Sequence, residues 1–238
     1  MAKIKARDNE RRAVVEQLRK QQKRKERQRG LLILGASLAV VVGLLAAAII
    51  PYVKQSREND RLAGTPVADM GVSASAASCD PVSKKKATGN NQHLTPPEKI
   101  TYPDAPPASG PHWGNFLQGS EIRPFYTVQD RPELERMVHS LEHGHTILWY
   151  DDTVKPGTKA YTDIKAMAAK LDSYFMAAPW QSADGAAFPS GKHVALTHWT
   201  GPEDQQGVTQ YCAAPSGSVL SDFMKAYPAS DAPEPGAA

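Results

Sequence analysis

A chain of 238 residues has room for one domain of ordinary size plus tails, and 41% hydrophobic against 22% charged residues excludes a disordered or collagen-like polymer. The formal net charge of +3 conceals an asymmetry: residues 1–30 carry twelve Lys or Arg against four acids, so the remainder is net acidic. The two cysteines, Cys79 and Cys212, are too few for a disulfide scaffold and form no C-x-x-C, which excludes a dithiol redox centre.

After the basic segment 1–30 comes Leu31 to Ile50, twenty residues with no charge and no polar group beyond Ser37, closed by Pro51 and Tyr52. At about 1.5 Å per residue that run is as long as a bilayer's hydrocarbon core is thick, so residues 31–52 are read as a transmembrane helix rather than a cleaved signal peptide. The positive-inside rule keeps 1–30 in the cytoplasm and exports the chain from about Asp60. The basic segment then serves as a topology signal touching anionic lipid; no base-reading motif accompanies it, and no nucleic-acid partner is expected. On the exported side an even cysteine count favours a Cys79–Cys212 disulfide.

Residues 53–86 read as a linker, charged and then rich in Ala, Ser and Gly. From Gly89 to Pro124 the chain is an ordered loop rich in Pro, Gly and Asn, with Tyr102, Trp113, Phe116, Leu117 and Ile122 available for burial. Within it Pro106 to Gly114 forms a stiff turn presenting His112 beside Trp113. A capping pattern follows: Asp130 as N-cap, Pro132 in the first turn, Glu133 three residues on. Leu134, Met137, Val138 and Leu141 then form one helical stripe, Gly144 supplies the stop, and His145–Tyr150 reads as a strand covered on both faces.

A second amphipathic helix is expected from about Thr158 to Tyr174, on the stripe Tyr161, Ile164, Ala168, Leu171, Phe175. Phe175 to Ala178 begins a short strand. His193–Trp199 alternates as another, with His193, Ala195, Thr197 and Trp199 on one face and Val194, Leu196 and His198 on the other. A last helix from about Ser216 carries Leu220, Phe223, Met224 and Tyr227, and 229–238 is a disordered Pro/Ala tail. The expected architecture is α+β (or α/β): one transmembrane helix, then an extracytoplasmic domain over 87–228 with helices packed on a small mixed sheet.

The chemistry concentrates in Val138-His139-Ser140-Leu141-Glu142-His143-Gly144. His139 and His143, one turn apart, share a helix face opposite the apolar stripe and can chelate one ion, and His-Ser-Leu-Glu-His matches the H-x-x-E-H pattern of zinc peptidases. Read blandly, the same residues are a solvated outer face with His143 at the negative end of the helix dipole. The aromatic-rich loop is the natural cover for that face and would bring His112 to His139 and His143, leaving His93 outside the site.

With Ser109-Gly110-Pro111-His112-Trp113 preceding Val138 to Gly144, behind a basic N-terminus and an apolar helix, the chain resembles the actinobacterial domain-of-unknown-function 3105 family over nearly its whole length. The resemblance implies topology and a fold relationship and brings no activity. It carries His112, His139, Glu142 and His143 over as the candidate site; Trp199-Thr200-Gly201 departs from the Trp-Gly expected at the last strand. Three readings stand. The first is an extracytoplasmic Cu or Zn site on His112, His139 and His143, with His145 and His198 as further candidate donors and Glu142 orienting a ring from behind. The second is a structural or interaction module of the cell envelope, with a protein partner there and the His/Glu motif as a hydrogen-bonded network. The third is a zinc hydrolase using Glu142 on a bound water.

Overall fold

The computed structural model describes residues 2–89 and 92–236. Helix α1 runs from Ala2 to Gly64 and contains one stretch long and apolar enough to cross a membrane. The helix does not stop at Pro51: a proline removes one ladder hydrogen bond without obliging the chain to leave the helix.

The compact unit from Asp60 onward is built on a five-stranded mixed sheet. In chain order its strands are β1 (Ser83–Lys86), β4 (Thr146–Tyr150), β5 (Phe175–Pro179), β6 (Val194–Thr200) and β7 (Gln206–Cys212); β2 (His93–Leu94) and β3 (His112–Trp113) form a separate parallel pair. The spatial order is β1-β7-β6-β4-β5, and β4 and β5 are its one parallel pair. That pairing needs a crossover, which helix α3 (Lys159–Ala168) supplies. Helices α2 (Leu134–Glu142) and α4 (Gly217–Ala226) complete the domain.

Two apolar layers sandwich the sheet. On one side Leu148, Tyr150, Val194, Leu196 and Val208 meet Ile164 and Met167 of α3 and Leu220 and Phe223 of α4. On the other, Ile147, Trp149, Ala195 and Trp199 meet the stripe of α2, namely Leu134, Met137, Val138 and Leu141, together with Leu117 and Tyr126 from the Pro-rich segment. The face split expected along β6 is the one observed, because strand side chains alternate.

Several boundaries differ from the sequence reading. Asp130 does not cap α2; its carboxylate accepts from the backbone and hydroxyl of Thr127 and pairs with Arg123, and Glu133 is the N-cap residue without a side-chain bond. Helix α3 ends at Ala168, since Asp172 turns the chain by accepting from Tyr174 N and Phe175 is drawn into β5 opposite Thr146. The stretch 53–86 is more than a linker: Leu62, Met70 and Ala77 are buried, β1 pairs with β7, and a Cys79–Cys212 disulfide is present. The last residues are also engaged. A 3-10 turn at Ala229–Asp231 is followed by buried Ala232, and Gly201 N donates to Asp231 O.

Candidate metal centre

The site is assembled by three short elements that the Pro-rich segment and α2 bring together. Parallel pairing sets His93 opposite His112 and Leu94 opposite Trp113. The loop is pinned by Tyr102, whose hydroxyl donates to Pro111 O (2.7 Å), and by Trp113 Nε1, which donates to Glu98 O (2.7 Å). Arg136 of α2 then clamps the following residues, donating to Asn115 O (3.0 Å), Phe116 O (3.1 Å) and Glu121 Oε2 (2.8 Å). Held in this way, Phe116 lies over the rings of His139 and His143 at 5.3 and 5.1 Å between centroids. The histidine face of α2 is therefore covered rather than solvated: His139, Glu142 and His143 are all buried.

His93, His112, His139 and Glu142 each offer a donor atom, and these four atoms lie within 4.8 Å of one another. The rings are aimed by their other nitrogen. Nδ1 of His112 is 2.9 Å from Gly110 O and Nδ1 of His139 is 2.5 Å from Trp113 O, so each donates its proton to a backbone carbonyl and leaves Nε2 with a free lone pair. The Nε2 atoms of His112, His93 and His139 stand 2.9, 3.7 and 4.0 Å from Oε2 of Glu142. Three of the four residues are buried, while the His93 side chain is 42% exposed at the rim.

Both carboxylate oxygens of Glu142, and Nε2 of His112, are buried without an aligned hydrogen-bond partner among the described residues. A buried carboxylate without donors is costly, and a cation among these atoms would satisfy all of them. Ionisation suits the same end. Burial pushes the Glu142 carboxyl up, but the hydrogen-bonding contact with His112, followed by that ring's charge, outweighs it and holds the group below the usual carboxylate range. Burial holds His139 down at about 4, against the pull of the Trp113 carbonyl. A carboxylate and a neutral imidazole are the states a metal requires.

The structure separates the residues that the sequence grouped. His112, His139 and Glu142 are in the four-donor group, Glu142 as a donor rather than behind a ring. His143 is adjacent: its ring stacks on His139 at 4.7 Å and its Nδ1 donates to Glu234 O (2.9 Å), which leaves its buried Nε2 unpartnered among the described residues, but it is not in the four-donor group. His145 donates through Nδ1 to Ser140 O (2.9 Å), and His198 Nδ1 lies 3.3 Å from Thr146 Oγ1; neither is in the donor group. His93, expected outside, is inside. No local spacing marks it, since its place depends on the β2–β3 pairing across nineteen residues of sequence.

A family model described as "Protein of unknown function (DUF3105)" matches residues 93–238, which include all four donor residues. No curated protein and no solved structure matches the chain.

Proposed function

The chain belongs to the DUF3105 family, and on the premise that this membership fixes a relationship and no activity, we propose that the domain binds one transition-metal ion, Cu(II) or Zn(II), on the exported side of a membrane. The observation that carries the reading is the convergence of three imidazole nitrogens on a buried carboxylate that has no other donor among the described residues. Imidazole suits zinc and copper alike, and the absence of thiolate or thioether among the four donors disfavours Cu(I). His93, His112, His139 and Glu142 would be the ligands, with Gly110 O and Trp113 O fixing two ring orientations from behind.

The structural-network reading has one observation in its favour, the 2.9 Å approach of His112 Nε2 to Glu142 Oε2, which a protonated His112 would turn into a buried ion pair. The hydrolase reading needs His139 and His143 on one ion with Glu142 free as base. The position of Glu142 among the donors, and that of His143 outside the four-donor group, weigh against it.

Elemental analysis of the full-length protein after loading and desalting tests the proposal: one equivalent of zinc or copper is expected, with nitrogen hyperfine structure in the Cu(II) spectrum. Retention below about a tenth of an equivalent of either ion would overturn it. The export of the domain rests on the charge asymmetry across residues 31–50, and anionic lipid is the proposed contact of residues 1–30. An alkaline phosphatase fused after residue 238 should be active; an inactive, well-expressed fusion would reverse the topology.

A further inference from the structure

The parallel strands β4 and β5 send their outgoing chains to opposite sides of the sheet. After Tyr150 the chain enters α3, whose Ile164 and Met167 pack on the face that holds Leu148 and Tyr150. After Pro179 it enters a loop whose Trp180 and Phe188 pack on the other face, with Ile147 and Trp149. Neighbouring parallel strands that part in this way leave a crevice beyond their carboxyl ends, the place where open α/β sheets bind ligands. A cavity of about 760 Å³ lies there, with Tyr150, Tyr161, Trp180 and Phe188 forming an aromatic wall and Asp151, Asp152, Lys155, Lys192 and His193 among its polar lining. Its size is that of a small-molecule site. The metal centre lies at the opposite end of β4, beyond its amino terminus.

One polar arrangement in this cavity is built with more care than a surface loop requires. His193, in the residue before β6, places Nδ1 2.8 Å from Oδ2 of Asp151, in the residue after β4. Asp151 is itself held, its Oδ1 accepting from the backbone N (3.0 Å) and the hydroxyl of Thr153. Asp151 N donates to His193 O (3.1 Å), so the two residues are tied through main chain as well as side chain. In the neutral ring the carboxylate accepts the Nδ1 proton and thereby fixes the tautomer, which makes Nε2 of this cavity-lining residue the lone-pair acceptor. Base and orienting carboxylate are present in the relation that general-base sites use.

We infer that this cavity binds a neutral ring compound bearing a hydroxyl group, a phenol or an alicyclic alcohol. The ring would lie against the aromatic wall, and its O–H would donate to Nε2 of His193. The acceptor character of Nε2 selects a donor head group, and the aromatic wall selects an apolar ring, while the opposed charges of Asp152 and of Lys155 and Lys192 favour no single net charge. The inference does not depend on the metal centre.

The test uses the full-length protein in nanodiscs with empty nanodiscs subtracted, and 4-fluorophenol against 4-fluoroanisole as probes followed by ¹⁹F NMR. The phenol should bind saturably and about fivefold more tightly than the anisole, the worth of one net hydrogen bond. His193→Ala should abolish that preference while weak binding of both probes persists. Asp151→Asn, whose amide can donate to Nδ1 and favour the opposite tautomer, should abolish it with the ring still in place. Absence of saturable binding to the wild-type protein would overturn the inference. So would a phenol preference that survives both substitutions.

Discussion

Oε2 of Glu142 lies 2.9 Å from Nε2 of His112, with both side chains wholly excluded from solvent. Because Nδ1 of His112 is committed to Gly110 O, this approach needs a positive charge between or upon its partners: a proton on Nε2 or a metal ion. The two cases predict different behaviour of one substitution.

Glu142→Gln keeps the shape of the side chain and removes its charge. If the pair is a metal ligand set, affinity for Zn(II) or Cu(II) should fall by on the order of 100-fold or more, beyond what loss of an outer partner costs, and metal-free stability should change little. If the pair is a structural ion pair, metal-free stability should itself fall by about 3 to 5 kcal/mol. Urea titration with and without a chelator separates the outcomes.

His93→Ala and His143→Ala should differ in kind. His93 is at the rim, so its loss should weaken metal affinity by about tenfold or more while the metal-free melting temperature stays where it was. His143 is buried, stacks on His139 and is anchored by Glu234 O, so its loss should lower the metal-free melting temperature and reduce affinity less. Isothermal titration and thermal melts on the two variants check this. The reverse ranking would show that His143 is the third imidazole ligand.

Much of this was legible in the sequence where the signal is local. The stripe of α2, the Gly144 stop and the buried run of β4 are periodicities within fifteen residues, and Gly144 has φ +98° with the Ala229 backbone 2.6 Å from where a Cβ would sit. Two strands of the main sheet, β1 and β7, were not legible, nor was the short β2–β3 pair. β1 is Ser-Lys-Lys-Lys, exposed throughout, and reads as solvated chain; its lysines suit an edge strand that must not pair further. β7 mixes Gln, Gly, Thr and Tyr and is held by its neighbours on both sides rather than by its own hydrophobicity. His93 belongs with these, because pairing across the sheet leaves no mark in one-dimensional spacing.

The pH dependence of metal-free stability should be carried by three buried histidines. Burial holds His139, His145 and His198 at about 4, below the 6.5 of an ordinary histidine. The unfolded chain therefore binds protons that the folded chain refuses between those values, and stability is lost as pH falls from about 6.5 towards 4. At pH 5 each group should contribute roughly 2 kcal/mol of destabilisation relative to pH 7.5. His198→Phe should remove that histidine's share, and a metal-free stability that is flat between pH 7.5 and 5 would contradict the argument.

Deleting the chain from Ala229 onward should damage the metal centre, although the segment supplies no donor to it. Glu234 O accepts from Nδ1 of His143, and Glu234 N donates to the backbone carbonyl of Glu142, so the segment closes the carboxyl end of α2 where orphan carbonyls need partners. Upstream, Asp231 O accepts from Gly201 N at 2.7 Å just beyond β6, which ties the segment to the sheet, and Ala232 is fully buried. Removal leaves His143 and Glu142 to water or to fraying, with each lost bond worth about 1 kcal/mol. Metal-free stability should drop by roughly 2 to 4 kcal/mol on that basis. Metal affinity should fall with it, because Glu142 is the last residue of the helix and loses the contact that fixes its backbone. Excess metal should recover part of the lost melting temperature by mass action. A deletion that leaves both melting temperature and affinity at the wild-type values would show that the segment lies on the site without supporting it.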